Sequence, residues 1–101
     1  MINLTPHNRL VIDMILDHYG EDRSCLQDKS RIQKKVFARQ LVMMYLREQG
    51  YTLSAIGEFF DKDHSTVIHG IKSAEQLVID TDGTRSLWNR ININWDLCIS
   101  Y

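Results

Sequence analysis

Asp63-His64-Ser65-Thr66 sets a carboxylate, an imidazole and two hydroxyls on four successive residues, directly ahead of an apolar stripe that starts at Val67. Asp63 is well placed to cap a helix beginning there, by accepting the backbone N–H of Thr66. Such a helix carries donors and acceptors at its N-terminal tip, the arrangement that reads base edges in a DNA major groove. The same residues suit catalysis poorly. Three consecutive helical residues cannot align nucleophile, base and orienting acid, so Asp63, His64 and Ser65 do not make a hydrolase triad. His69 follows His64 by five residues, about 140° around a helix, which argues against a shared metal. His69 is expected at the edge of the core. No catalytic residue, metal or cofactor is expected.

The elements that must hold this tip are also legible. Thr5 followed by Pro6 reads as an N-cap with proline at the first helical position. Leu10, Val11, Met14, Ile15 and His18 then recur at helical spacing, so a first helix is predicted from about Pro6 to Tyr19, ended by Gly20. Ser24-Cys25-Leu26-Gln27 fits one turn before a basic linker. Between Ile32 and Gln49 there is no glycine or proline, and Val36, Phe37, Leu41, Met44, Tyr45 and Glu48 trace one face of a long central helix closed by Gly50. Thr52 can cap a short third helix with Leu53, Ile56 and Phe60 inside. Asp61-Lys62-Asp63 makes the turn, and Val67, Ile71, Ala74 and Val78 line one side of a fourth helix. Residues 52–79 therefore form a helix-turn-helix candidate.

The last stretch, 84–101, is ambiguous. Asp82-Gly83 reads as a turn. Beyond it Ile91, Ile93, Trp95, Leu97 and Ile99 alternate like a strand, whereas Trp88, Ile91, Trp95 and Cys98 fit a helical face. A lone strand in a helical chain would be marginal, so a helix is expected. Met43, Met44, Trp88 and Trp95 are expected in core or interface packing.

With 101 residues, 44% hydrophobic and 25% charged, the chain is expected to be one all-α domain, a compact helical bundle with a single core. No apolar run approaches the roughly 20 residues of a membrane span, and the N-terminus does not read as a secretory signal. Cys25 and Cys98 lack partners at zinc spacing and are expected as reduced thiols, in a cytoplasmic, nucleoid-associated protein. The net charge of −1 hides an asymmetry. Lys29, Arg31, Lys34, Lys35, Arg39 and Arg47 run without an acid among them, while Asp13, Asp17, Glu21, Asp22 and Asp28 precede them. Separate basic and acidic faces would let a near-neutral domain bind a polyanion; on charge alone, the plainer reading is a solvated face.

Ala38-Arg39-Gln40 through Leu46-Arg47-Glu48, Leu53-Ser54-Ala55-Ile56-Gly57, Asp63 to His69, and Ile71-Lys72 through Glu75-Gln76-Leu77 together resemble the C-terminal DNA-binding domain of DnaA, the bacterial chromosomal replication initiator. The resemblance covers roughly residues 5–80 and is densest over 38–77. It implies a Trp-repressor-like helical bundle that binds short duplex boxes at replication origins and some promoters. By position, Asp63, His64, Ser65 and Thr66 match the family's base-reading tip. Arg31, eight residues before Arg39, matches the arginine that enters the adjacent minor groove. Arg39, Gln40, Arg47, Thr52 and Ser54 match positions that hold the phosphate backbone, and Lys35 and Lys62 are expected beside them. A carboxylate accepts from base amines, and arginine is drawn to a narrow A·T-rich minor groove.

Three departures bear on the recognised sequence. Ser65 stands where the family has threonine, which removes a methyl. Phe60-Asp61-Lys62 replaces a longer, glycine-containing turn, and Asp61 adds a negative charge near the DNA. The chain also holds no Gly-rich Walker loop, so ATP-driven oligomerisation and strand opening are not expected of it. The partner expected is double-stranded DNA. A rival reading makes the domain a protein-interaction module, docking on a replication initiator or another replication protein through its acidic first helix or aromatic tail.

Overall fold

Three polar side chains start three of the helices. The computed structural model describes residues 3–99, with side chains over residues 3–92. Thr5 Oγ1 accepts the Asn8 N–H at 3.1 Å and opens α1, Pro6–His18. Thr52 Oγ1 accepts the Ala55 N–H at 3.0 Å ahead of α3, Leu53–Phe60. Asp63 Oδ1 accepts the Thr66 N–H at 2.8 Å ahead of α4, His64–Asp80. Each bond satisfies a donor that the helix itself leaves open. The long central helix, α2, Gln33–Glu48, has no such cap; it follows a single 3-10 turn, Arg23–Leu26, and a loop.

The C-terminal ends of α1, α2 and α3 share one geometry. The chain turns through a left-handed residue, and two N–H groups reach back to the last carbonyls. Gly20 and Gly50 do this for α1 and α2, with φ of 68° and 92°. Asp61 does it for α3, with φ 56° and ψ 49°; the Lys62 N–H meets Gly57 O at 2.8 Å and the Asp61 N–H meets Glu58 O at 3.3 Å. The turn without glycine thus adopts the conformation that glycine usually supplies. Asp tolerates it better than most side chains, because its short polar group suits the left-handed region.

The core forms around α2. The expected single apolar face proved too narrow: every residue from Ala38 to Leu46 except Gln40 is buried, whereas Val36 and Phe37 are half-buried and Glu48 is exposed. A helix covered on several sides by α1, α3 and α4 is apolar nearly all round. At the crossing with α4, Gly70 brings the backbones close, since a Cβ there would lie 2.6 Å from Met43 Sδ. A polar chain is buried alongside: Tyr45 Oη donates to Asn8 Oδ1 at 2.7 Å, and Asn8 Nδ2 donates to Tyr51 Oη at 3.2 Å. Burial pushes the Tyr45 phenol up to about 12.

The helical period prevails in the last element. α5 runs Asp82–Ile99, burying Thr84, Leu87 and Ile91 at i, i+3 and i+7. Asp82-Gly83, read as a turn, instead forms the start of α5. The break is Thr81 alone, at φ −119° and ψ 114°. Arg85 closes it by donating to Val78 O at 3.2 Å and to Ile79 O. Trp88 packs against the core, and Cys25 is a buried free thiol. The side chains of Trp95 and Cys98 lie outside the described residues.

Candidate nucleic-acid interface

The Asp63–Thr66 bond fixes the first turn of α4 and leaves its tip in solvent. Asp63, His64, Ser65 and Thr66 are all exposed, while Val67, Gly70 and Ala74 on the opposite side are buried. The amide and hydroxyl of Thr66 both hold the Asp63 carboxylate below the usual carboxylate range, with smaller help from His64 and His69. Asp63 is therefore ionised near neutral pH, and Oδ1 is engaged in the cap. The open N–H groups of the tip add the positive end of the helix dipole.

Two further residues join this face. Ile68, which the apolar side of Val67, Ile71, Ala74 and Val78 does not include, is 38% exposed. It sits four residues past His64 and three past Ser65, on the same side of the helix. His69, expected at the edge of the core, is exposed as well. It lines a groove between α2 and α4 with Gln40, Lys62, Thr66 and Ser73. The signal for both was their offset from Val67, Gly70 and Ala74, the positions that α4 buries against α2.

The helix-turn-helix itself is tight. A Cβ on Gly57 would lie 2.6 Å from the Lys62 carbonyl oxygen, so only glycine lets α3 approach the turn this closely. Thr52 and Ser54 are exposed at the start of α3. Arg47 is exposed at the end of α2, where its Nη1 donates to Tyr51 O at 3.0 Å and braces the chain entering α3. Lys62 and Gln40 are half-buried on the groove.

The basic segment is not a face separate from the acidic one. Two of the acidic residues, Glu21 and Asp28, fold back onto it. Lys34 and Lys35 approach Glu21 at 3.3 and 3.4 Å, and Lys35 approaches Asp28 at 3.1 Å. Much of the charge of Lys35 is thereby compensated. Arg39 is only 8% exposed; its guanidinium donates to Cys25 O at 3.2 Å, to Asp28 O at 2.7 Å and to Ser30 O. Arg39, expected on phosphates, uses three of its five donors on carbonyls of the 3-10 turn and the loop after it. Arg31 is exposed, and no hydrogen bond or ion pair engages it among the described residues. The loop carrying it touches the helix-turn-helix twice: Gln27 Nε2 donates to Phe59 O at 2.8 Å, and Lys29 Nζ lies 3.9 Å from Asp61. The loop that carries Arg31 thus meets the turn that precedes the α4 tip through Gln27 and Lys29. No group of three or more metal-ligating side chains occurs among the described residues.

A family model described as the bacterial dnaA protein helix-turn-helix matches residues 9–73. The chain is similar to the chromosomal replication initiator protein DnaA of Deinococcus deserti, 32% identical over 79 residues that cover 76% of this chain and 17% of that protein. It is similar to the DnaA of Herpetosiphon aurantiacus, 40% identical over 76 residues, 69% of this chain and 16% of the relative. Deinococcus radiodurans DnaA is 33% identical over 86 residues, 80% of this chain and 18% of the relative. The chain spans less than a fifth of the length of these relatives.

Proposed function

Because the chain belongs to the family of bacterial DnaA helix-turn-helix domains, we propose that it binds double-stranded DNA sequence-specifically through the tip of α4. The observation that carries this reading is the group of exposed polar side chains, His64, Ser65 and Thr66, on a helix start that Asp63 holds rigid. Rigid placement matters, because a base contact is worth its full discrimination only when donor and acceptor are already aligned.

In this reading His64, Ser65, Thr66 and the second oxygen of Asp63 face base edges in the major groove. Ile68 offers an apolar contact to a thymine methyl, in place of the methyl that Ser65 lacks. Arg31 enters the adjacent minor groove. Arg47, Thr52, Ser54, Gln40 and Lys62 hold phosphates, with Lys35 contributing weakly because Glu21 and Asp28 already pair with it. The domain's work is recognition in replication initiation or its control, with no chemical step of its own.

Selection from a random duplex pool tests the reading. The intact chain should enrich one short box. His64→Ala should enrich a degenerate version of that box, relaxed at one or two adjacent positions. Enrichment of no motif by the intact chain would refute the proposal.

A further inference from the structure

We propose that Arg39 is a positioning residue for minor-groove recognition, building the loop that presents Arg31 instead of touching DNA itself. The inference rests on the reading of Arg31 given above and extends it to a residue behind the interface.

The geometry is specific. Arg39 projects from the second turn of α2 back across 9 to 14 residues of chain, to the carbonyls of Cys25, Asp28 and Ser30. The Cys25 oxygen belongs to the 3-10 turn, and those of Asp28 and Ser30 to the stretch after it, which has no secondary structure of its own. A planar guanidinium with several fixed donors can gather carbonyls that point in different directions; an ammonium on a flexible stem does this less well. Around this clamp the loop makes its own closures. Ser30 N–H bonds Asp28 Oδ1 at 2.8 Å, and Ile32 N–H bonds Ser30 Oγ at 3.2 Å. Arg31 lies between the last clamped carbonyl and the start of α2. Its backbone is fixed on both sides while its side chain stays unengaged.

The alternative, a phosphate contact by Arg39, demands that a group 8% exposed leave three carbonyls unpaired. Losing partners for one buried and two part-buried carbonyls is costly, so the clamp is the favoured state with or without DNA. An arginine fixed at its backbone also loses less freedom on entering a groove than one on a floppy arm.

The test uses a duplex carrying a TTATCCACA-type box and two derivatives with its A·T-rich end rebuilt, one from G·C and one from inosine·C pairs. These derivatives differ only by the guanine N2 amine in the minor groove. The intact chain should prefer the inosine duplex by about tenfold, a typical single-contact discrimination. Arg31→Ala should bring that ratio close to one. Arg39→Gln should do the same while retaining Arg31, and Arg31→Ala/Arg39→Gln should lose nothing further. A melting curve establishes that each variant is folded. Should Arg39→Gln fail to fold, Ser30→Ala loosens the same loop from outside the core and should lower the ratio in the same way. Equal weakening on both derivatives with the ratio preserved, or a loss additive with Arg31→Ala, would overturn the positioning role. A ratio unaffected by Arg31→Ala would overturn the underlying assignment of Arg31 instead.

Discussion

The Asp63 carboxylate and the Thr66 amide, 2.8 Å apart, join the capping of α4 to its presentation of polar side chains. One oxygen ends the helix cleanly, so the residues between, His64 and Ser65, project from a turn that cannot fray. Their exposure would otherwise be a liability for precise recognition, since an unbonded first turn samples several conformations.

Asp63 should give the domain a pH-dependent cap. Its pKa is lowered by the Thr66 bonds, so its stabilising contribution is fully present above the unfolded carboxylate value of about 4 and is lost as pH falls through the lowered folded value. Asp63→Asn keeps a capping oxygen and cannot be protonated in this range. Thermal melts across acidic pH should therefore show the advantage of the parent over Asp63→Asn shrinking as pH falls; a constant difference would contradict the assignment.

His64→Ala should leave the melting temperature unchanged, because the side chain is exposed, and should lower discrimination between the selected box and a scrambled duplex by about 1–3 kcal/mol. Anisotropy titrations at fixed salt check this directly.

Gly57→Ala should destabilise the fold by about 1–3 kcal/mol, the usual range for overpacking, because the new methyl meets the Lys62 carbonyl rather than a movable side chain. Urea unfolding measures the loss. DNA affinity should fall even where the variant remains folded, since relieving the clash tilts α4 away from α3.

At Asp61, glycine and alanine should separate. Asp61 is left-handed, and a Cβ in that conformation costs about 1–2 kcal/mol for an ordinary residue. Asp61→Gly should be more stable than Asp61→Ala by about that amount in the same unfolding experiment. The Lys29 contact, at 3.9 Å and highly exposed on both sides, should contribute little to either.

Much of this was legible in the chain because it is local. Thr5, Thr52 and Asp63 each bond an amide three residues on, and the glycines at 20 and 50 terminate the helices they follow; both signals lie within one turn of sequence. The tip at 63–66 was legible for the same reason. Features that depend on distant neighbours were not. Arg39 reads as a surface cation until its acceptors arrive from 9 to 14 residues upstream. Lys34 and Lys35 read as a free basic face until Glu21 folds onto them. His69 reads as the edge of the core, and only the crossing of α4 over α2 at Gly70 shows which stripe is covered. Asp61 hid a left-handed turn because the residue that normally announces one is absent.

Sequence-specific binding by this domain is tested by fluorescence anisotropy at about 150 mM salt, comparing a labelled duplex carrying a TTATCCACA-type box with a scrambled duplex of the same composition. Specific recognition by the α4 tip predicts a difference in affinity of at least ~10³, reduced in His64→Ala. Equal, weak and salt-sensitive binding to both duplexes would contradict recognition of that box by this domain.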